Sequence, residues 1–211
     1  MTAGRPRRDL LLALCPVTDG LVVDVGADHG LVASAIAARG GRVIATERAP
    51  NRIGRRDVPW IVADGLAPLR TVAVAIIAGM GAHTIAGILG RGPRPTVAVV
   101  VHATDNPPAL RGWLAANGWR IDAEALAREA GRFAEVIRAV PGDEPATGLE
   151  LAFGPRLLAG DDPLLVEHLR ELHAHHAALA AATRHVPHKH AGFSARVAFL
   201  AAALVARGIP L

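Results

Sequence analysis

The densest cluster of chemically suggestive residues in the chain is Asp24-Val25-Gly26-Ala27-Asp28-His29-Gly30. Glycines in a turn let a ligand approach the backbone, and a helix starting just beyond them offers unpaired N–H groups. Two cofactor classes use such a turn. The dinucleotide fingerprint wants glycines at its first, third and sixth positions, here Gly26, Asp28 and Leu31, so it fails twice. The other pattern is an acidic residue followed by glycines spaced by two with one member exchanged: Asp24, Gly26, Asp28, Gly30. Two further carboxylates keep step with it. Glu47 lies 23 residues after Asp24, and Asp64-Gly65 follows the next apolar run. A carboxylate at a strand end is often only a helix cap. Three of them at successive strand C-termini occupy the edge where α/β sheets bind ligands.

The elements that must hold these residues follow from the apolar pattern. Leu21–Val25, Arg42–Glu47, Trp60–Asp64, Val72–Ala78 and Thr96–Val101 read as strands, most of them apolar on both faces. Helix-forming segments lie at Leu31–Arg39 and around Ile85–Leu89. Buried strands separated by helices make a parallel sheet covered on both sides, an α/β fold of the doubly wound kind. Leu110–Ala116 then reads as a short helix, with Trp119–Leu126 and Phe133–Val140 as an antiparallel hairpin around Gly131. Beyond a Pro/Gly-containing loop at Pro141–Gly148, Leu164–Thr183 is helical, Pro187 breaks it, and Gly192–Arg207 forms a second helix. The expected division is residues 1–160 as the α/β domain and 161–211 as a helical hairpin with Leu165, Leu169, Leu172 and Leu179 in its core.

Composition narrows the partners. The 211 residues carry one cysteine, Cys15, which excludes an internal disulfide or a cysteine-built zinc site. No apolar run approaches the ~20 residues of a spanning helix. The start, Arg5 to Cys15, reads as an amphipathic helix and not as a secretion signal, so the expected location is cytoplasmic. Nothing marks an obligate protein partner. The net charge is +4, and only Lys189 among 23 basic residues is not arginine. Arginine forks match phosphate and stack on bases, although a GC-rich genome yields the same bias. Arg48, Arg52, Arg55 and Arg56 cluster beside the carboxylate-bearing edge, with Arg5, Arg7 and Arg8 as a basic arm. Of the seven histidines after Leu164, His173 and His176 share a helix face, yet none of the set has a metal-ligand spacing. They read as a polar helical surface.

These motifs together resemble a known family. Asp24 to Gly30 is similar to motif I of class I S-adenosylmethionine methyltransferases. Val23-Asp24-Val25-Gly26-Ala27-Asp28-His29-Gly30, Ala63-Asp64-Gly65-Leu66 and Ile77-Ala78-Gly79-Met80-Gly81 resemble the bacterial tRNA (adenine(22)-N(1))-methyltransferase family, TrmK. Leu110-Arg111-x-Trp113-Leu114-x-x-Asn117-Gly118-Trp119, Glu129-x-Gly131-Arg132-Phe133-x-Glu135 and Phe153-Gly154-Pro155 continue the likeness over about 130 residues. The resemblance implies a Rossmann-like methyltransferase sheet with a C-terminal coiled-coil-like hairpin. It implies S-adenosylmethionine as cofactor and N1 of an adenine in the tRNA D-arm as acceptor. Glu47 would accept the ribose hydroxyls and Asp64-Gly65 would hold the adenine amino group. Asp24, Gly26, Ala27, Gly30 and the turn Ala78-Gly79-Met80-Gly81 would complete the cofactor site. Methylated N1 makes the ring cationic, so a carboxylate beside it stabilises developing charge. Asp28 is the candidate for that role, with a helix N-cap as its competing use, and His29 either orients the base or caps the turn.

The chain departs from the family at three places. His102-Ala103-Thr104 stands where the family reads Gln-Pro-Asn, the segment from Glu47 to Trp60 is short, and Ala82 and Ala134 replace a glycine and an aromatic. The alternatives these leave open are another RNA or small-molecule acceptor, or a non-catalytic RNA-binding relative. Asp105-Asn106-Pro107-Pro108 is similar to a motif of exocyclic-amine methylation, but follows the fifth strand instead of the fourth and reads as a turn into a helix.

Overall fold

A computed structural model of the chain describes residues 6–54 and 57–210. These divide into two compact units, 6–156 and 157–210. The first is built on one seven-stranded sheet: β1 (Val22–Val25), β2 (Val43–Glu47), β3 (Trp60–Val62), β4 (Val74–Met80), β5 (Ala98–Ala103), β6 (Trp119–Glu129) and β7 (Arg132–Pro141). The order is β3-β2-β1-β4-β5-β7-β6. The first five strands are parallel, while β7 runs antiparallel to both β5 and β6. The chain leaves β1 for β2 on one side and later returns to β4 on the other. That reversal opens a crevice at the strand C-termini between β1 and β4.

Helices cover both faces, as the two-sided hydrophobicity of the strands demands. On one face Val23, Val25, Ile77, Val99 and Val101 pack with Ile85 and Ile88 of α3 (Ala82–Arg91) and Leu110 and Leu114 of α4 (Pro107–Ala116). On the other, Val22, Val74, Ile76 and Val100 meet Leu10 to Leu12 of α1 (Arg7–Leu14) and Ala33 and Ile36 of α2 (Leu31–Ala38). The expected α/β sheet and its terminal antiparallel hairpin are both present. The hairpin turn is Ala130-Gly131, with φ of 48° and 77°, the pair of left-handed residues that a two-residue turn needs to match strand twist.

Two short helices, α5 (Gly148–Phe153) and α6 (Pro155–Ala159), follow the Pro141–Gly148 loop, in a stretch to which the sequence pattern assigns no element. Their signal is nonetheless local: Thr147 and Glu150 form a reciprocal capping box. The second unit contains α7 (Leu165–Ala182) packed against α8 (Pro187–Val205). Pro187 starts α8 instead of merely ending α7, because proline at a first helical position forfeits no hydrogen bond. Of the expected hairpin core, Leu165 and Leu169 are buried, whereas Leu172 and Leu179 are partly so. His168 and His176 are buried too, contrary to the reading of the histidines as a polar surface. His176 stacks on Phe193, and burial lowers its proton affinity. Among the described residues no helix is long and apolar enough to cross a membrane, and no group of three potential ligands could hold a metal ion.

Candidate active site

The crevice at the switch point is a cavity of about 700 Å³, and most of the residues singled out by sequence reach it. The turn after β1 has three left-handed residues within five: Gly26 (φ 65°), Asp28 (φ 47°) and Gly30 (φ 69°). The N–H groups of Gly26 and Ala27 donate to the carbonyl of Thr46 at 2.8 and 3.2 Å, which ties the turn to β2. A β-carbon at Gly26 would sit 2.2 Å from the Met80 methyl, so any larger residue there would displace the Met80 side chain as well as strain the left-handed backbone.

Helix α2 begins at Gly30, which has no side chain to cap it. Asp24 supplies the cap from within β1: its Oδ2 accepts from the Ala33 N–H at 3.0 Å. Asp24 is buried, and loss of water pushes its carboxyl up to about 6 despite that hydrogen bond. The helix-cap role considered for Asp28 therefore belongs to Asp24. Asp28 projects into the cavity with its side chain 57% exposed, its Oδ2 3.6 Å from Nε2 of a still more open His29. Aspartate is among the few side chains that tolerate left-handed backbone.

Glu47 closes β2, is nearly buried, and uses Oε1 to accept from the Ala49 N–H at 3.0 Å. Its Oε2 has no hydrogen bond among the described residues. Asp64, beyond β3, is exposed with Arg91 3.6 Å away. Gly65 is left-handed, and a β-carbon there would press on Ile88 at 2.7 Å. On the far side β4 slips register against β5 between Ala78 and Met80, leaving Gly79 as a bulge that opens on free space. Gly81 then starts α3, and Asp105 accepts from the Ala82 N–H at 2.8 Å. That bond and one from the Asn106 N–H hold Asp105 below the usual carboxylate range.

Two of these residues went unassigned in the sequence. Asp105 bridges the β5–α4 turn to α3, and nothing in its flanking residues announces a contact 23 positions away. Gly54 donates to the Asp28 carbonyl at 3.2 Å, and a β-carbon there would stand 2.7 Å from the His29 Cα. Its signal was a glycine in an otherwise Pro- and Arg-rich loop. The Asn-Pro-Pro segment is the turn it reads as: Asn106 caps α4 by accepting from the Ala109 N–H, with Pro107 in the first turn.

Of the arginines, Arg7, Arg8, Arg48 and Arg52 line the cavity, while Arg5, Arg55 and Arg56 lie outside the described residues. Arg7 and Arg8 belong to α1 instead of an extended arm, because Leu10 to Leu12 pin that helix to the sheet. His102 lies at the end of β5, is buried, and donates from Nδ1 to the Glu135 carbonyl at 3.2 Å; burial depresses its pKa. It is not among the cavity-lining residues.

The carboxylates at β2 and β3, the glycine turn and the bulged β4 fit a nucleoside linked to a short polar chain. Glu47 has an oxygen to spare for hydroxyl donors, and Gly79 leaves room for a ligand beside the sheet. Solved structures share this fold at low identity. A B. subtilis m1A22 tRNA methyltransferase, TrmK, is 18% identical over 94% of this chain and 97% of its own, with a TM-score of 0.75. M. capricolum TrmK, solved with S-adenosyl-homocysteine, is 15% identical over 93% and 95%, with a TM-score of 0.77. Streptococcus pneumoniae Sp1610, solved with S-adenosyl-L-methionine, is 23% identical over 90% and 98%, with a TM-score of 0.73. No curated protein sequence matches the chain. The sequence model of one family, however, spans residues 22–201, from β1 into α8, and by that match the chain belongs to the tRNA (adenine(22)-N(1))-methyltransferase family, TrmK.

Proposed function

We propose that this enzyme transfers a methyl group from S-adenosylmethionine to N1 of an adenine in the D-arm of tRNA, with Asp28 as the carboxylate facing the reacting atoms. The observation that carries the reading is the division of labour in the glycine turn. Asp24 caps α2, so the Asp28 side chain is left without a helix to cap and is held open to the cavity in a conformation that costs energy.

Glu47 would hold the ribose hydroxyls of the cofactor, Asp64 and Gly65 its adenine, and Gly26, Ala27 and Gly30 its amino-acid end. Ala78, Gly79, Met80 and Gly81 form the opposite wall. Bound there, S-adenosylmethionine supplies an electrophilic methyl on a sulfonium. Adenine N1 already presents a lone pair, so no proton need be removed and the task of the protein is alignment. The base gains positive charge as the bond forms, and Asp28 stabilises it. His29, 3.6 Å from Asp28, steers that carboxylate. Met80 offers an apolar wall to an exposed base. Arg48 and Arg52 would meet backbone phosphates, and such a substrate locates the enzyme in the cytoplasm.

The test is transfer of labelled methyl from S-adenosylmethionine to unmodified tRNA, with the product nucleoside mapped, for wild type and Asp28→Asn. The expected outcome is 1-methyladenine in the D-arm from wild type and little from the variant. Normal cofactor binding without transfer would refute tRNA as the acceptor.

A further inference from the structure

The residues lining the cavity fall into two groups with different chemistry. Glu47, Asp64 and Gly65 come from the β2–β3 side and account for the cofactor. Arg7, Arg8, Leu11 and Glu129 come from α1 and the end of β6, and the cofactor reading gives them no work. The motif turn and Met80 stand between the groups. Glu129 reaches the cavity because β6 and β7, at 11 and 10 residues, overrun the 6-residue β5. The hairpin tip thus projects past the strand C-termini. There the Arg7 N–H donates to Glu129 Oε1 at 2.9 Å, and Arg7 Nε stands 3.6 Å from Oε2.

We propose that this clasp is the acceptor-side wall of the cavity, and that Glu129 is a positioning residue that holds Arg7 and the first turn of α1 against the phosphodiester flanking the target adenine. The proposal rests on the tRNA-methylating reading above and adds to it where the RNA enters. The chemistry of the wall suits that ligand: it carries two guanidiniums, Arg7 against Glu129 and Arg8 3.3 Å from Asp9, both at least a third exposed, and such forks match phosphate oxygens. A cap alone would explain only half of the contact. Pro6 offers α1 no side-chain cap, and Glu129 satisfies one orphan N–H, but it also engages the guanidinium of the same residue.

The test uses the full-length protein, measuring S-adenosylmethionine affinity by calorimetry and methyl transfer to unmodified tRNA across tRNA and salt concentrations. Glu129→Ala should raise KM for tRNA by about tenfold with kcat changed less than about threefold, and leave cofactor affinity within about twofold. Arg7→Ala should do the same and lower the slope of log affinity against log salt by about one. The double variant should match the singles, since both break one clasp. Glu129→Gln keeps an acceptor for the Arg7 N–H and so keeps the helix capped; it should retain the wild-type Tm yet still raise KM. An unchanged KM in Glu129→Gln overturns the proposal, as does a fall in cofactor affinity equal to the rise in KM. If wild type transfers no methyl to tRNA while binding the cofactor, the acceptor reading itself falls and the clasp with it.

Discussion

Two non-glycine residues among those described adopt left-handed backbone, and they sit in turns with opposite demands: Asp28 after β1 and Ala130 between β6 and β7. In the hairpin the backbone is what matters. Ala130 and Gly131 make the turn that strand twist requires, and the alanine methyl does nothing visible there. In the glycine turn the side chain matters. Glycines flank Asp28 at 26 and 30, yet position 28 keeps a carboxylate, open to the cavity and without a cap to make. The same contrast runs through the buried polar groups. Behind the hairpin, Arg111 of α4 is wholly buried between Glu124 of β6, at 2.6 Å, and Glu135 of β7. Burial works against its charge, but the two carboxylates outweigh it and hold the guanidinium protonated. Around the glycine turn the carboxylates are only half used. Strain with no ligand-facing side chain marks architecture; strain that presents one marks a site.

The comparison breaks most visibly at Arg111. Glu124→Ala strips one partner from a buried charge and also the acceptor of the Arg156 N–H. It should cost about 3–5 kcal/mol, read as a lower denaturant midpoint, while S-adenosylmethionine affinity of the folded fraction stays near wild type. A loss below about 1 kcal/mol would mean that the buried cluster does not anchor the hairpin.

At Asp28 the expectation reverses. Asp28→Asn should lower methyl transfer by about 100-fold, near 2.7 kcal/mol in the transition state, with Tm and cofactor affinity little changed. Asp28→Gly should lose transfer equally, without the destabilisation of a structural deletion, because glycine accepts φ 47° freely. A variant that kept transfer would return Asp28 to the role of a turn residue.

How much of this was legible in the chain depended on range. The strands were readable because Val74 to Ile77 and Ala98 to Val101 are apolar on both faces, and Val22 to Val25 is so except at Asp24, a pattern set by each segment alone. The site carboxylates were readable because motif and strand end coincide. The exchange of roles between Asp24 and Asp28 was not, since which aspartate caps α2 depends on a strand side chain reaching nine residues forward. Arg111, Glu124 and Glu135 were three ordinary charges until the hairpin and α4 closed over them. The first turn of α1 looked like a loose basic arm because its anchor, Glu129, is 122 residues away. Ala130 gave no warning at all, for alanine is a poor sign of a left-handed turn.

Asp24 sharpens the contrast through pH. Its folded carboxyl titrates near 6, above the ordinary value of 3.8. The native state therefore binds the proton more tightly than the unfolded chain between about pH 4 and 6. This contribution to stability is fully present below pH 4 and disappears as pH rises through 6. Asp24→Asn should thus stabilise the protein by about 2 kcal/mol at pH 7.5 and by almost nothing at pH 4. Cofactor affinity should move the other way in wild type. As Asp24 takes up its proton below pH 6, the ionised cap of Ala33 weakens and the turn loosens, a limb that Asp24→Asn should flatten. Parallel pH dependence of stability and affinity would refute the capping role.

The smallest effect tests the hairpin turn on its own terms. Left-handed backbone costs an alanine about 1 kcal/mol, and glycine removes that cost. Glycine also loosens the unfolded chain, which takes back about 0.4–1 kcal/mol. Ala130→Gly should therefore shift stability by no more than about 0.5 kcal/mol, towards the folded state, in denaturant melts. Transfer should be untouched, because the turn geometry that carries Glu129 is unchanged. Set beside Asp28→Gly, the same replacement at the same kind of backbone, it isolates what a side chain does there. Relief of strain is common to both, so a difference in methyl transfer belongs to the carboxylate alone. Equal loss of transfer in the two variants would mean that the strained backbone itself, and not Asp28, is what the reaction needs.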